Sequence, residues 1–233
     1  WEGSGDPLPL VLSSEATRSL LDVVHRFAFS ALSYSSGVSF LRENLGVQVF
    51  DRAFALRDDG TDTEGLPFPF DLEGTPKQRI ELVSEGTPRT PVLDQRQAAA
   101  LGLPPTGHAV GGNDALAQNL FLLPGAKSED DLLAAADGGL WVGDISPVEC
   151  FEPQRLAVRA ALRGVRRIRD GKRAEPLHDV LWQGSLLRAG ANLLGIGDRP
   201  QVGWLHDRGI FGGCSCPPLA FAAVQGLSPL PVS

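Results

Sequence analysis

Between Pro67 and Gly86 the chain reads PFPFDLEGTPKQRIELVSEG, and this stretch limits the fold more than any other. An acidic pair, Asp71 and Glu73, stands before a Gly-Thr-Pro turn. Ile80 and Leu82 then alternate with Arg79, Glu81 and Val83, the period of two that marks a strand. The strand must reverse at Glu85-Gly86, where Gly86 accepts the positive φ of a tight turn. The two carboxylates at i, i+2 admit two readings. As an acid/base pair they would share one face of an extended segment; as turn formers they would accept backbone N–H bonds from Gly74 and Thr75. No nucleophile or metal-ligand pattern adjoins them, so the structural reading is preferred.

The chain has 233 residues, 42% apolar and 21% charged, enough to bury on the order of 70% of its unfolded surface. Twenty-eight acidic residues against 21 basic ones disfavour a polyanionic partner such as nucleic acid. No apolar run reaches the roughly 18 residues of a membrane helix, and no signal-peptide succession opens the chain. Three cysteines suit a reducing compartment, so a cytoplasmic location is expected. A start at Trp1 and the absence of any Met suggest a fragment or processed form.

Leu8 to Leu12 reads as a buried strand, and Ser14 as the N-cap of a helix from Glu15 to about Ala31 with Ala16, Leu20, Val23, Val24 and Phe27 on one face. His25 in that helix lacks a ligand at i±4, where Leu21 and Phe29 stand, and is read as structural. Gly37 and Gly46 mark turns. Asp58-Asp59-Gly60 is expected to be a solvated turn, because the alternating ligands and closing glutamate of a calcium loop are missing.

Leu93 to Leu101 should form a short helix stopped by Gly102 and Pro104, with Thr106-Gly107-His108 following. Asn119 to Leu123 reads as a buried strand, Ser128-Glu129-Asp130-Asp131 as a capped helix start, and Leu140 to Val142 as a strand. Eight basic residues lie between Arg155 and Arg173. Arg155, Arg159 and Arg163 could line a helix, but Gly164 interrupts it, and Asp170-Gly171 predicts a hairpin with arginines on the solvent face. Trp182 to Gly197 reads as a Gly-Ser turn followed by a short leucine-rich helix. Gly111-Gly112-Asn113 and Gly195-Ile196-Gly197 lack the strand-to-helix context of a phosphate loop. Leu219 to Val224 should be the last strand, preceded by Cys214-Ser215-Cys216. Free thiols are the preferred reading of that pair, with soft-metal binding as the alternative.

In this order, helix, Asp-x-Glu-Gly block, Thr-Gly, Pro-Gly before a capped acidic helix, Asp-Gly hairpin and Pro-Pro before a strand, the chain resembles the C-terminal domain of the TldD/PmbA (TldE) family from Leu8 to Gly226. The Thr106-Gly107-His108-Ala109-Val110-Gly111-Gly112 form resembles the PmbA/TldE branch. The resemblance implies a single α+β domain over residues 1–233, with a mostly antiparallel, barrel-like core and a few packed helices, and the family's N-terminal domain absent. In the catalytic TldD branch this helix carries His-Glu-x-x-x-His, two imidazoles for zinc and a glutamate to polarise water. Here those positions are Asp22, Val23 and Phe27.

The resemblance therefore implies a TldE-like non-catalytic subunit holding no metal itself. Its zinc-bearing TldD-like partner would hold the metal, and together they would cleave unfolded peptides held as an added strand. Self-association is the other pairing considered. Thr106, Gly107, His108, Asp71 and Glu73 are the expected peptide-contacting residues. Two alternatives stay open: a peptidase with rewired ligands, His108 with Cys214 or Cys216, and a gyrase- or DNA-associated regulator acting through the arginine hairpin, an idea kept by the family's older name, modulator of DNA gyrase.

Overall fold

Strand β1 (Leu8–Leu12) shows why the chain folds in layers. The computed structural model describes residues 5–207 and 210–230. Leu10 and Leu12 face the main core and Val11 faces a second, smaller core under a helix, so the unbroken apolar run fits a strand buried on both faces. Elements are numbered in chain order. β1 lies inside a six-stranded sheet ordered β12 (Lys172–Pro176), β11 (Arg166–Arg169), β8 (Leu140–Val142), β1, β17 (Leu219–Val224) and β14 (Leu193–Ile196). β8 pairs parallel to β1 and β17 antiparallel.

A second sheet orders β18 (Leu227–Pro229), β13 (Val180–Ser185), β10 (Ala157–Arg163) and β9 (Asp144–Glu152), all antiparallel. A third orders β15 (Gln201–Asp207), β16 (Ile210–Cys216), β7 (Asn119–Leu122), β2 (Leu56–Asp58), β3 (Ile80–Ser84) and β4 (Thr87–Pro88), with β16 and β7 parallel. β5 (Ala109–Gly111) and β6 (Asp114–Ala115) form a ribbon. The class is α+β and mostly antiparallel, as expected, but the sheets stay open, so the core is layered instead of barrel-like.

Helix α1 (Ser14–Val24) packs between the second and third sheets, against β9, β15 and β16. Its cap is Ser13, one residue earlier than the sequence suggests: the Ser13 hydroxyl accepts the Ala16 N–H at 3.1 Å and donates to the Gly143 carbonyl at 2.6 Å. The α-helix also ends early. His25–Phe29 winds as a π-helix, and the chain then turns at Ser30, whose hydroxyl caps α2 (Ala31–Ser35). α3 (Leu41–Asn44) follows, and Gly37 and Gly46 turn with φ near +80°.

The other local expectations hold where local chemistry dictates them. Glu85-Gly86 turns with both φ positive, and Asp170-Gly171 likewise. α4 (Gln95–Leu101) is capped by Asp94 and ends on left-handed Gly102. Ser128 and Asp131 form a reciprocal capping box on α5 (Glu129–Ala135), which covers the outer core of the first sheet with Leu132, Leu133 and Ala136. Two of the expectations fail. Trp182 lies within β13, not in a turn before the leucine-rich helix α6 (Leu186–Gly190), because Gly184-Ser185 pairs with Ala157-Val158 instead of turning. β17 is followed by β18 and is not the last strand. Arg159 and Arg163 lie on strand β10, so the helical alternative for them is not taken up.

Candidate functional site

One face of α1 and its π-helical continuation carries Glu15, Ser19, Asp22 and Arg26 at intervals of four, three and four residues, and with Val23 it lines one wall of a polar groove of about 330 Å³. Asp144, Ile145, Ser146 and Val148 of β9 form the other wall. β9 is an edge strand, hydrogen-bonded on one side to β10. Ser19 reaches across to Asp144 at 3.1 Å.

The positions that the resemblance aligns with the zinc motif, Asp22, Val23 and Phe27, lie on this helix and its π-helical continuation. Asp22 and Phe27 are five residues apart, more than one turn of an α-helix. The π-helical segment at His25–Phe29, with hydrogen bonds running i→i+5, shortens that angular separation. Asp22 Oδ2 is 2.5 Å from the Arg26 guanidinium, and Phe27 packs against the main core. Burial pushes the Asp22 carboxyl up, but His25 and Arg26 outweigh it and hold the group below its ordinary range. His25 is 2% exposed and its Nε2 is 3.5 Å from Asp22 Oδ1, near enough for charge attraction but outside hydrogen-bonding distance.

Cys214 and Cys216 approach the same helix from β16. Cys216 Sγ donates to the Ser14 carbonyl at 3.2 Å. The Cys214 thiol is pushed well above its usual range by its hydrogen bond with Cys216 and by burial, and it lies in the field of Arg18 and Asp22. Zinc would need three protein ligands of the His, Cys or carboxylate type, and among the described residues no three such side chains come close enough to hold a metal ion. The donor set does not fit. The rewired set of His108 with Cys214 or Cys216 is likewise not assembled, because both nitrogens of His108 are engaged elsewhere.

Four of the five expected peptide-contacting residues are buried. Thr106, Gly107, His108 and Asp71 form an internal brace. Asp71 and Glu73 do not share a face: Asp71 points inward and accepts the N–H groups of Glu73, Thr75 and Ala109 at 2.8 to 3.0 Å, while exposed Glu73 accepts the Gln95 N–H at 3.0 Å. Asp58, expected in a solvated turn, ends β2 with no exposed surface. Its carboxylate meets His108 Nε2 and the Asn119 N–H, each at 2.7 Å. A partner 50 residues distant leaves no local trace, so sequence reasoning missed this cluster. It missed the β9 wall as well, since Asp144-Ile145-Ser146 carries no chemical motif.

The chain is thus an α+β domain of three main sheets in which α1 lies beside the edge strand β9. The chain belongs to the PmbA/TldA metallopeptidase C-terminal domain family, whose model matches residues 4–226. It is 28% identical over 172 residues to a protein of Methanothermobacter thermautotrophicus named "Metalloprotease", covering 72% of this chain and 37% of that one. The fold matches TldE from Thermococcus kodakarensis with a TM-score of 0.81 at 18% identity, over 96% of this chain and 50% of that one. It also matches a candidate modulator of a DNA gyrase from Thermotoga maritima, with a TM-score of 0.78 at 22% identity, over 94% and 49%. The chain spans about half the length of these solved proteins and little more than a third of the curated relative.

Proposed function

We propose that this chain is a TldE-like, non-catalytic subunit that pairs with a zinc-bearing, TldD-like partner in the proteolysis of unfolded peptides. The observation that carries the reading is the state of the motif helix. Asp22 is spent on Arg26, Val23 offers no general base, and Phe27 is packed into the core. The groove between α1 and β9 remains open beside an edge strand, the geometry that can receive an extended peptide or a partner segment. Free Cys150, Cys214 and Cys216 suit the reducing cytoplasm that the reading assumes. Among the described residues no helix is long and apolar enough to cross a membrane.

Elemental analysis of the purified chain tests the first half, with zinc expected far below one per chain. Stoichiometric zinc together with chelator-sensitive peptide hydrolysis would overturn it. Co-purification with the chain as bait tests the second half, and recovery of a His-Glu-x-x-x-His homologue is the expected result.

A further inference from the structure

Strand β13 has a neighbour along the whole of one side and along only half of the other. β10 pairs with every residue from Val180 to Ser185, whereas β18 pairs from Val180 to Trp182 and the Gln183 N–H makes the last link, to the Gly226 carbonyl at 2.9 Å. The chain enters β18 from β17, a strand of the first sheet, so β13 and β17 belong to different sheets joined by Gln225-Gly226. A groove of about 490 Å³ opens there, lined by the end of β13, the 223–226 turn, α6 and Asn192. Its volume is that of a small-ligand site, about 300 to 1,000 Å³, and it shares no residue with the groove beside α1.

The deeper lining is apolar and tightly built. Trp182 and Val224 are each 1% exposed and Ala189 is buried. Trp182 Nε1 donates to the Gln225 carbonyl at 3.1 Å, which ties β13 to the turn. Two glycines make that approach possible. A Cβ on Gly184 would lie 2.5 Å from Trp182 Nε1, and one on Gly226 would lie 2.0 Å from the Gln183 carbonyl, with φ at +78° as well.

The rim is polar and uncommitted. Gln183, Arg188, Asn192 and Gln225 are exposed, and among the described residues none of these side chains makes a hydrogen bond or ion pair. No carboxylate lines the groove. In register Glu149 and Glu152 stand a further strand away on β9, with Arg159 between Glu149 and Gln183. One guanidinium presents parallel N–H donors that match a planar carboxylate and its single charge. Each side-chain amide both donates and accepts, and so does a peptide group. A phosphate accepts only and carries nearly two charges, so it would use half of each amide and find one cation.

We propose that this groove holds the carboxyl-terminal end of an extended peptide, with the terminal carboxylate on Arg188 and the preceding peptide groups on the Gln183, Asn192 and Gln225 amides. The edge of β13 that β18 leaves open at Gly184-Ser185 gives the peptide backbone a strand to lie against. The last side chain rests over Trp182 and Val224. The proposal stands on these residues and does not rest on the subunit reading.

Amide NMR titration of the full chain with acetyl-trialanine, once as the free acid and once as the carboxamide, tests it. The free acid should shift the signals of residues 183–192 and 223–226 and bind at least about tenfold more tightly than the carboxamide, the margin of one charge-assisted contact. Arg188→Gln should bring the free acid down to the affinity of the carboxamide and leave the carboxamide unchanged. Equal binding of the two peptides, shifts confined to other residues, or no shift at about 10 mM peptide would overturn the proposal. So would inorganic phosphate that produces the same shifts at lower concentration than the free acid, which would mark a phosphate site instead. The contrast between acid and carboxamide in the wild-type chain decides the matter even if the variant does not fold.

Discussion

The Arg26 guanidinium, on the π-helical turn that follows α1, stands 2.5 Å from Asp22 Oδ2 and occupies that carboxylate. The pair is partly buried, with Asp22 13% and Arg26 26% exposed. Replacing Asp22 with Asn should therefore cost about 1.5 to 3 kcal/mol at neutral pH, the range of a hydrogen bond to a charged group. The folded Asp22 carboxyl sits below its ordinary 3.8, so its contribution is present above that value and fades as pH falls through the lower folded one. Urea denaturation of wild type and Asp22→Asn should show a gap at pH 7 that narrows below about pH 3.8. An unchanged gap would refute the ion-pair account.

Adjacent serines at the head of α1 should behave oppositely. The Ser13 hydroxyl makes two hydrogen bonds, one capping the helix and one across to Gly143, so Ser13→Ala should lose about 1 to 2 kcal/mol. The Ser14 hydroxyl is buried without a partner, and Ser14→Ala should be neutral or slightly stabilising. Thermal melts of the two single variants check the contrast.

Two glycines separate backbone strain from crowding. Gly102 has φ +67° and open space where a Cβ would be, so Gly102→Ala should cost about 1 kcal/mol. Gly107 has φ +74°, and a Cβ there would lie 2.3 Å from the Pro76 carbonyl. Gly107→Ala should cost at least about 2 kcal/mol more, because two backbones must part. Chemical denaturation of both variants measures the difference.

What the sequence made legible was local. Hairpins at Glu85-Gly86 and Asp170-Gly171, the capping box at Ser128 and Asp131, and the glycine stop of α4 each need only neighbouring residues, and each is in place. Asp22, Val23 and Phe27, where the resemblance expects the zinc motif, could likewise be read directly, since they are residue types at fixed spacing. The rest required distance. Asp58 reads as a turn former until His108 arrives to bury it, and Ser14 reads as a cap until Gly143 claims Ser13. Gly184-Ser185 reads as a turn until β10 pairs with it. The π-helix at His25–Phe29 has no composition of its own.

The thiols should be inert in the folded chain. Burial pushes Cys150 up to about 11, and Cys214 and Cys216 are fully buried with Cys214 raised further by its neighbour. Because the thiolate is the reactive form, a disulfide reagent at pH 8 should titrate no thiol rapidly in native protein and three in denaturant. A rapid native thiol at Cys214 or Cys216 would contradict the placement of β16.

The arginine hairpin offers the last test, and it concerns DNA. Binding to phosphates needs cations free to exchange their counterions, with affinity falling steeply as salt rises. Several of these cations already have acidic partners. Arg167 and Arg169 both reach Glu175, Arg163 pairs with Asp179, and Arg173 lies over the Trp141 ring with Glu129 alongside. Exposed pairs of this kind contribute less than about 1 kcal/mol each to stability, yet their acids keep the local field near neutral. Gel-shift titrations of the chain with duplex DNA should therefore show no retardation at micromolar protein, even in low salt. Glu175→Gln, which frees Arg167 and Arg169, should be the variant in which a weak, salt-sensitive shift first appears. Retardation by the wild-type chain that weakens as salt rises would instead mean that the ribbon engages phosphates in spite of its acidic partners.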